Sequence, residues 1–208
     1  KPTVGSMSAW SGVLKDFFRQ IDDGSHTLES VQAFNEHRNP FEVAVSVADR
    51  VAVWCSFYHQ FFGLELDFSS VLIPTPRPGF TRLLIIAQGL TPNRVYDVCS
   101  RHFPCWRYTN DLDAALDWTK EERDPRKGAY AIWVRDRQEA DEELKNLSAN
   151  QIKKKGLTTE TLTERLLHEL VHWHETKKHL DTSSNITNCT GSRVRAGRVP
   201  VVRWCRHF

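Results

Sequence analysis

The sequence contains no run approaching the ~20 apolar residues that a membrane-crossing helix requires, and no charged-then-apolar leader opens it. A membrane span is therefore not expected, and a cytoplasmic setting is the simplest expectation. Its five cysteines, at 55, 99, 105, 189 and 205, are odd in number and widely spread, with no C-x-x-C pair. That pattern speaks against a disulfide framework and against a cysteine-only zinc site. A glycine-rich phosphate loop and a serine nucleophile elbow are both missing, so nucleotide hydrolysis and serine-based hydrolysis have no support. Neither sign of charge is in surplus. With 28 Lys and Arg against 26 Asp and Glu, the formal net charge is +2, and nothing global demands a nucleic-acid or membrane partner. No internal repeat or low-complexity segment occurs.

What is present suffices for a core: 208 residues, 40% apolar and 11% aromatic. Residues 1–7, with Pro2, Gly5 and Ser6 and no periodicity, read as an appended tail. Residues 8–208 then form one expected globular domain of mixed α/β (α+β) class. Its parts would be a helical subregion at 8–63 and a mixed region at 64–208, with a small central sheet, helices packed on it and a long histidine-bearing helix near the C-terminus.

Val13, Leu14, Phe17, Phe18 and Ile21 recur at helical spacing and stop at Asp22-Asp23-Gly24. A second helix follows Thr27 and ends before Asn39-Pro40, giving a helical hairpin. The linker is not a calcium loop: with Gly24 in the glycine place, the first, third and twelfth ligand places fall on Arg19, Ile21 and Ser30. Residues 47–62 predict a third helix with an aromatic face. Arg82 to Gln88 and Tyr130 to Val134 predict buried strands, and Thr91-Pro92 an N-cap and first turn leading to about Phe103. Gln138 to Leu147 predicts a polar helix. Thr161 and Glu164 stand in capping-box spacing at the head of a helix predicted to run to about Leu180. Val199 to Trp204 reads as a last strand.

The chemically specific feature lies on that last helix. His168 and His172 are one turn apart, so both imidazoles can face one metal ion, with Glu169 beside them able to act as general base on a bound water. About 0.02 such H-E-x-x-H matches are expected by chance from nine His and thirteen Glu in this composition. On a helical wheel His168, His172, Glu175 and His179 cluster opposite Leu162, Leu166, Leu170 and Trp173. That placement suits either a metal helix facing a cleft or a solvated polar face.

The run His168-Glu169-Leu170-Val171-His172 resembles, over those five residues, the HExxH of zinc metallopeptidases. The resemblance implies zinc as cofactor, His168 and His172 as ligands and Glu169 as catalytic base. The two common completions do not follow. The places of the metzincin glycine and third histidine hold Glu175 and Lys178, and the distant downstream Glu of gluzincins has no counterpart. His179, one residue off, is the candidate third ligand, with Asp181, Cys189, Cys205 and His207 as further donors that folding could supply.

Other clusters have local readings. Asp111, Asp113 and Asp117 suit helix starts, Arg135-Asp136-Arg137 a surface pair after a strand, and Arg101 to Tyr108 a helix-to-loop junction. Residues 189–208 carry five arginines and no acid. Arg193, Arg195, Arg198 and Arg203, with Trp204 and Phe208, could contact nucleic acid, or could keep an exposed strand soluble. The segments MSAWSGVLKDFFRQIDDGS, NPF at 39–41, RLLIIAQGLTPNRVYD, AYAIWVRDRQEADEELKNLSA and ETKKHLD together resemble a family of uncharacterised bacterial proteins, across most of the chain. That resemblance implies no activity, cofactor or catalytic residue. Two expectations result: a zinc-dependent hydrolase acting on a peptide or small molecule, or a non-enzymatic interaction protein.

Overall fold

The computed structural model describes residues 7–36, 46–183 and 185–205. Readings that fall elsewhere lie outside the described residues: the appended tail up to Ser6, the NPF at 39–41, and Arg206, His207 and Phe208. The chain divides into two compact units, Lys1–Ser46 and Val47–Phe208.

In the first unit, helix α1 (Met7–Asp22) carries the expected apolar stripe, and α2 (Leu28–Asn35) begins at a reciprocal cap between Thr27 and Ser30. The turn between them needs Gly24, at φ +79°, while Asp23 accepts from the Ser25 backbone at 2.9 Å.

The second unit is built around α3 (Val47–Phe62), whose Trp54, Phe57, Tyr58 and Phe61 are buried. They meet strand β1 (Arg82–Ile86), which pairs antiparallel with β2 (Tyr130–Val134), Leu84 opposite Ile132. Helix α4 (Pro92–His102) follows β1 with Thr91 as its cap. The short helices α5 (Leu112–Ala115) and α6 (Ala149–Lys154) come next, then α7 (Leu162–Thr176). Helix α7 packs on α4 and β1, burying Leu167, Leu170 and Val171 in the core that α3 and β1 share. A second two-stranded sheet joins β3 (Thr187–Asn188) to β4 (Val201–Val202). The fold is thus mixed α+β with small sheets. No described helix is long and apolar enough to cross a membrane.

Three expectations are corrected here. Gln138 to Leu147 forms only a 3-10 turn at Glu142–Leu144. The backbone before that turn bonds sideways instead: Gln138 accepts from the Asp181 amide at 2.9 Å, and Ala140 donates to Asp181 Oδ1 at 3.0 Å. The last strand shrinks to Val201–Val202, and its partner precedes it in sequence. Helix α7 ends at Thr176, because Lys177 turns left-handed at φ +57°.

The Tyr58 phenol ties α3 to the strand beside it. It is fully buried, donates to the Ile85 carbonyl at 2.9 Å and accepts from the Ala87 amide at 3.0 Å. Tyr58→Phe keeps the ring and leaves both backbone groups unsatisfied, so a loss of about 1–3 kcal/mol is expected in urea unfolding. A midpoint equal to wild type would refute that account.

Candidate functional site

The head of α7 is fixed before the histidines are reached. Thr161 caps the helix, its hydroxyl accepting from the Glu164 amide at 3.3 Å while the Thr161 amide donates to Glu164 Oε2 at 2.7 Å. Glu164, fully buried, also receives Arg123 through two nitrogens at 2.6 and 2.8 Å and the Tyr130 hydroxyl at 2.8 Å. A buried carboxylate requires such saturation. The Leu162 amide donates to the Ser192 hydroxyl at 2.8 Å, and that hydroxyl donates to Glu121 Oε2 at 2.7 Å.

Glu121 is the less satisfied carboxyl at this end. Its Oε1 is buried without a hydrogen-bond partner, and burial pushes its pKa up to about 7 from 4.5. A carboxyl that binds its proton more tightly when folded contributes stability at low pH and loses it as pH rises through the window between those values. Wild type is expected to lose urea resistance relative to Glu121→Gln between about pH 4.5 and pH 7. Parallel curves for the two proteins across that window would overturn this.

The second turn of α7 holds a closed charge cluster. Arg165, 2% exposed, donates to Glu169 Oε2 at 3.1 Å and to Asp181 Oδ2 at 2.9 Å. Glu169 also accepts from His179 Nδ1 at 2.8 Å on Oε1 and from the Leu180 amide at 3.3 Å on Oε2. Burial raises the pKa of Glu169, but the His179 hydrogen bond and the Arg165 charge outweigh it and hold the carboxyl below its usual value. Both oxygens of the residue proposed from sequence as general base are therefore occupied. His179 reaches Glu169 only because the helix stops at Thr176, and its ring stacks on Trp204 at 4.0 Å. It lies off the helical wheel on which it was placed.

His168 and His172 are 5% and 7% exposed, so they do not form a solvated face. His168 Nδ1 meets Glu160 Oε1 at 2.9 Å, and its Nε2 is buried without a hydrogen-bond partner. Both ring nitrogens of His172 are likewise buried and unpartnered. Burial above all lowers the His172 pKa, which favours its neutral ring. His168, Glu160 and Arg165 line a groove of about 790 Å³ that also takes in Trp133, Arg135 and Glu139.

The structure therefore leaves His168 and His172, one turn apart on α7, as unsatisfied buried imidazoles and commits Glu169 and His179 to each other. Among the described residues no group of three or more His, Cys, Asp or Glu is arranged to hold a metal ion. Of the other candidate donors, Asp181 is paired with Arg165, and Cys189 is fully buried beside Leu116 and Leu162, where burial raises its thiol pKa. Cys205 is half-buried, and His207 lies outside the described residues. Of the arginines proposed for nucleic acid, Arg193 turns inward to the Thr190 and Ser192 carbonyls at 2.6 and 2.7 Å, whereas Arg195, Arg198 and Arg203 are exposed.

Sequence reasoning missed Glu160, which sits on the loop before α7 with no periodic relation to His168. It also missed Arg165, although its i,i+4 spacing to Glu169 was a usable signal. No protein-family model, curated protein or solved structure matches the chain.

Proposed function

We propose that this protein is a zinc-dependent hydrolase in which His168 and His172 hold the metal beside the groove and a peptide or small-molecule substrate lies along it. One observation carries the reading: three buried ring nitrogens, Nε2 of His168 and both of His172, lack any hydrogen-bond partner. Buried polar atoms are almost always satisfied, and a metal ion can take one ring nitrogen from each of two histidines on successive turns of one helix. Imidazole suits zinc among the common divalent cations. When bound, zinc supplies Lewis acidity and lowers the pKa of a coordinated water to about 7.

The protein's own contribution is positioning. The Thr161 cap and the Arg123–Glu164 pair fix the start of α7. The Arg165–Glu169–His179 cluster fixes its middle, so the two imidazoles have little freedom to turn. In this arrangement Glu169 orders the helix and the following loop, and proton transfer falls to water or substrate groups in the groove.

Metal analysis of protein prepared without a histidine tag, after equilibration with zinc and gel filtration, tests the reading. About one zinc per chain is expected, with hydrolysis of a fluorogenic peptide or ester panel that a chelator abolishes and zinc restores. A zinc content far below one per chain would overturn it.

A further inference from the structure

Resting on that zinc reading, we propose that Glu160 is a positioning residue for the metal site. Its carboxylate holds the Nδ1 proton of His168 and so leaves Nε2 as the bare lone pair that a divalent cation takes. A carboxylate at the 2.9 Å contact can only accept, which places the proton on the Nδ1 edge of the ring. Metal-binding histidines commonly rely on such a partner behind the ring to set tautomer and orientation.

The structure commits Glu160 to this contact from several directions. Two arginines of this region are paired with other carboxylates, Arg165 with Glu169 and Asp181, and Arg123 with Glu164. Among the described residues, His168 is the side chain hydrogen-bonded to the Glu160 carboxylate. The Glu160 side chain is only 20% exposed and the His168 side chain 7%, so solvent competes weakly for the contact.

The backbone carrying Glu160 is held as firmly. The Gly191 amide donates to the Glu160 carbonyl at 3.2 Å, and the Thr159 and Thr190 hydroxyls hydrogen-bond beside it. A Cβ at position 191 would lie 2.7 Å from the Thr159 carbonyl oxygen and 3.0 Å from that of Glu160, so this approach of two chains requires glycine.

The test reads the ring directly. Long-range ¹⁵N NMR on zinc-free protein, with the His168 signals assigned by their loss in His168→Ala, should show the proton on Nδ1 and a bare Nε2 in wild type. In Glu160→Ala the ring should move toward the Nε2-protonated form, and zinc affinity, read by competition with a chelating dye, should weaken about 10–100-fold. Glu160→Gln keeps the side-chain volume and an accepting oxygen, and should retain the wild-type tautomer and most of the affinity. It also serves as the folded comparison if the alanine variant is unstable.

A wild-type His168 protonated at Nε2, or a Glu160→Ala ring unchanged from wild type, overturns the positioning role. So does zinc binding that survives Glu160→Ala at full strength. Absence of zinc binding by wild type, with the tautomer shift intact, overturns the zinc reading alone and confirms the Glu160–His168 coupling.

Discussion

Zinc at about one hundred times its dissociation constant is expected to stabilise the wild-type protein by about 2.7 kcal/mol, and to have no such effect on His168→Ala or His172→Ala. The magnitude follows from mass action, because an ion that binds only the folded chain shifts the equilibrium by RT ln(1 + [L]/Kd). For a unit of this size each kcal/mol moves the melting midpoint by roughly 2–4 °C, so a zinc-dependent shift of about 5–11 °C should be visible in a thermal melt. The two substitutions do more than remove a ligand. Each also removes buried ring nitrogens that lack a hydrogen-bond partner, so in zinc-free buffer the alanine variants should lose less stability than the buried ring volume alone implies. A zinc-induced shift that persists in both variants would place the metal elsewhere and end the two-histidine reading.

Replacing Arg165 is expected to have the largest effect on stability in the molecule. Its guanidinium is 2% exposed and joins Glu169 to Asp181; removing it takes the shared cation from two buried carboxylates, leaving Glu169 with His179 and the Leu180 amide and Asp181 with Ala140 and Thr187. Breaking a buried pair in this way costs about 3–5 kcal/mol, because the buried carboxylates keep their hydrogen bonds but lose the guanidinium that offset their desolvation. Arg165→Met, which keeps much of the volume, should lower the denaturation midpoint accordingly, by roughly 6–20 °C. Adding Glu169→Gln and Asp181→Asn should recover much of the loss, since the penalty belongs to the orphaned charges and not to missing packing. If Arg165→Met alone melts like wild type, the cluster does not hold the helix in the way proposed here.

The Arg165 cluster also ties helix end to site. Lys177 and Asp181 both adopt left-handed backbone, at φ +57° and +56°, conformations that cost a non-glycine residue about 1–2 kcal/mol each. The bonds that Glu169 makes to His179 and Leu180, and those that Asp181 makes to Arg165, Ala140 and Thr187, offset this cost. The early stop of α7 at Thr176 is therefore a tertiary effect. Nothing in Lys177-Lys178-His179 by itself prevents another helical turn, and their positive charges favour a helix C-terminus wherever it falls.

The amino-acid sequence alone determined the features with local causes. The Tyr130–Val134 strand follows from a short apolar run, the Thr91-Pro92 helix start from cap chemistry, the Thr161/Glu164 capping box from spacing, and the pairing of His168 with His172 from one helical turn. Tertiary structure alone decided whether those histidines are buried, which carboxylate stands behind His168, and whether Glu169 is available to a substrate. Glu160 reaches His168 from outside the helix, across a backbone approach that Gly191 permits, and His179 reaches Glu169 only after the chain has reversed. Spacing along a helix specifies which side chains can share a face. Only the packing of loops against that face determines which of its ring nitrogens remain unpartnered, and on α7 these include nitrogens of His168 and His172.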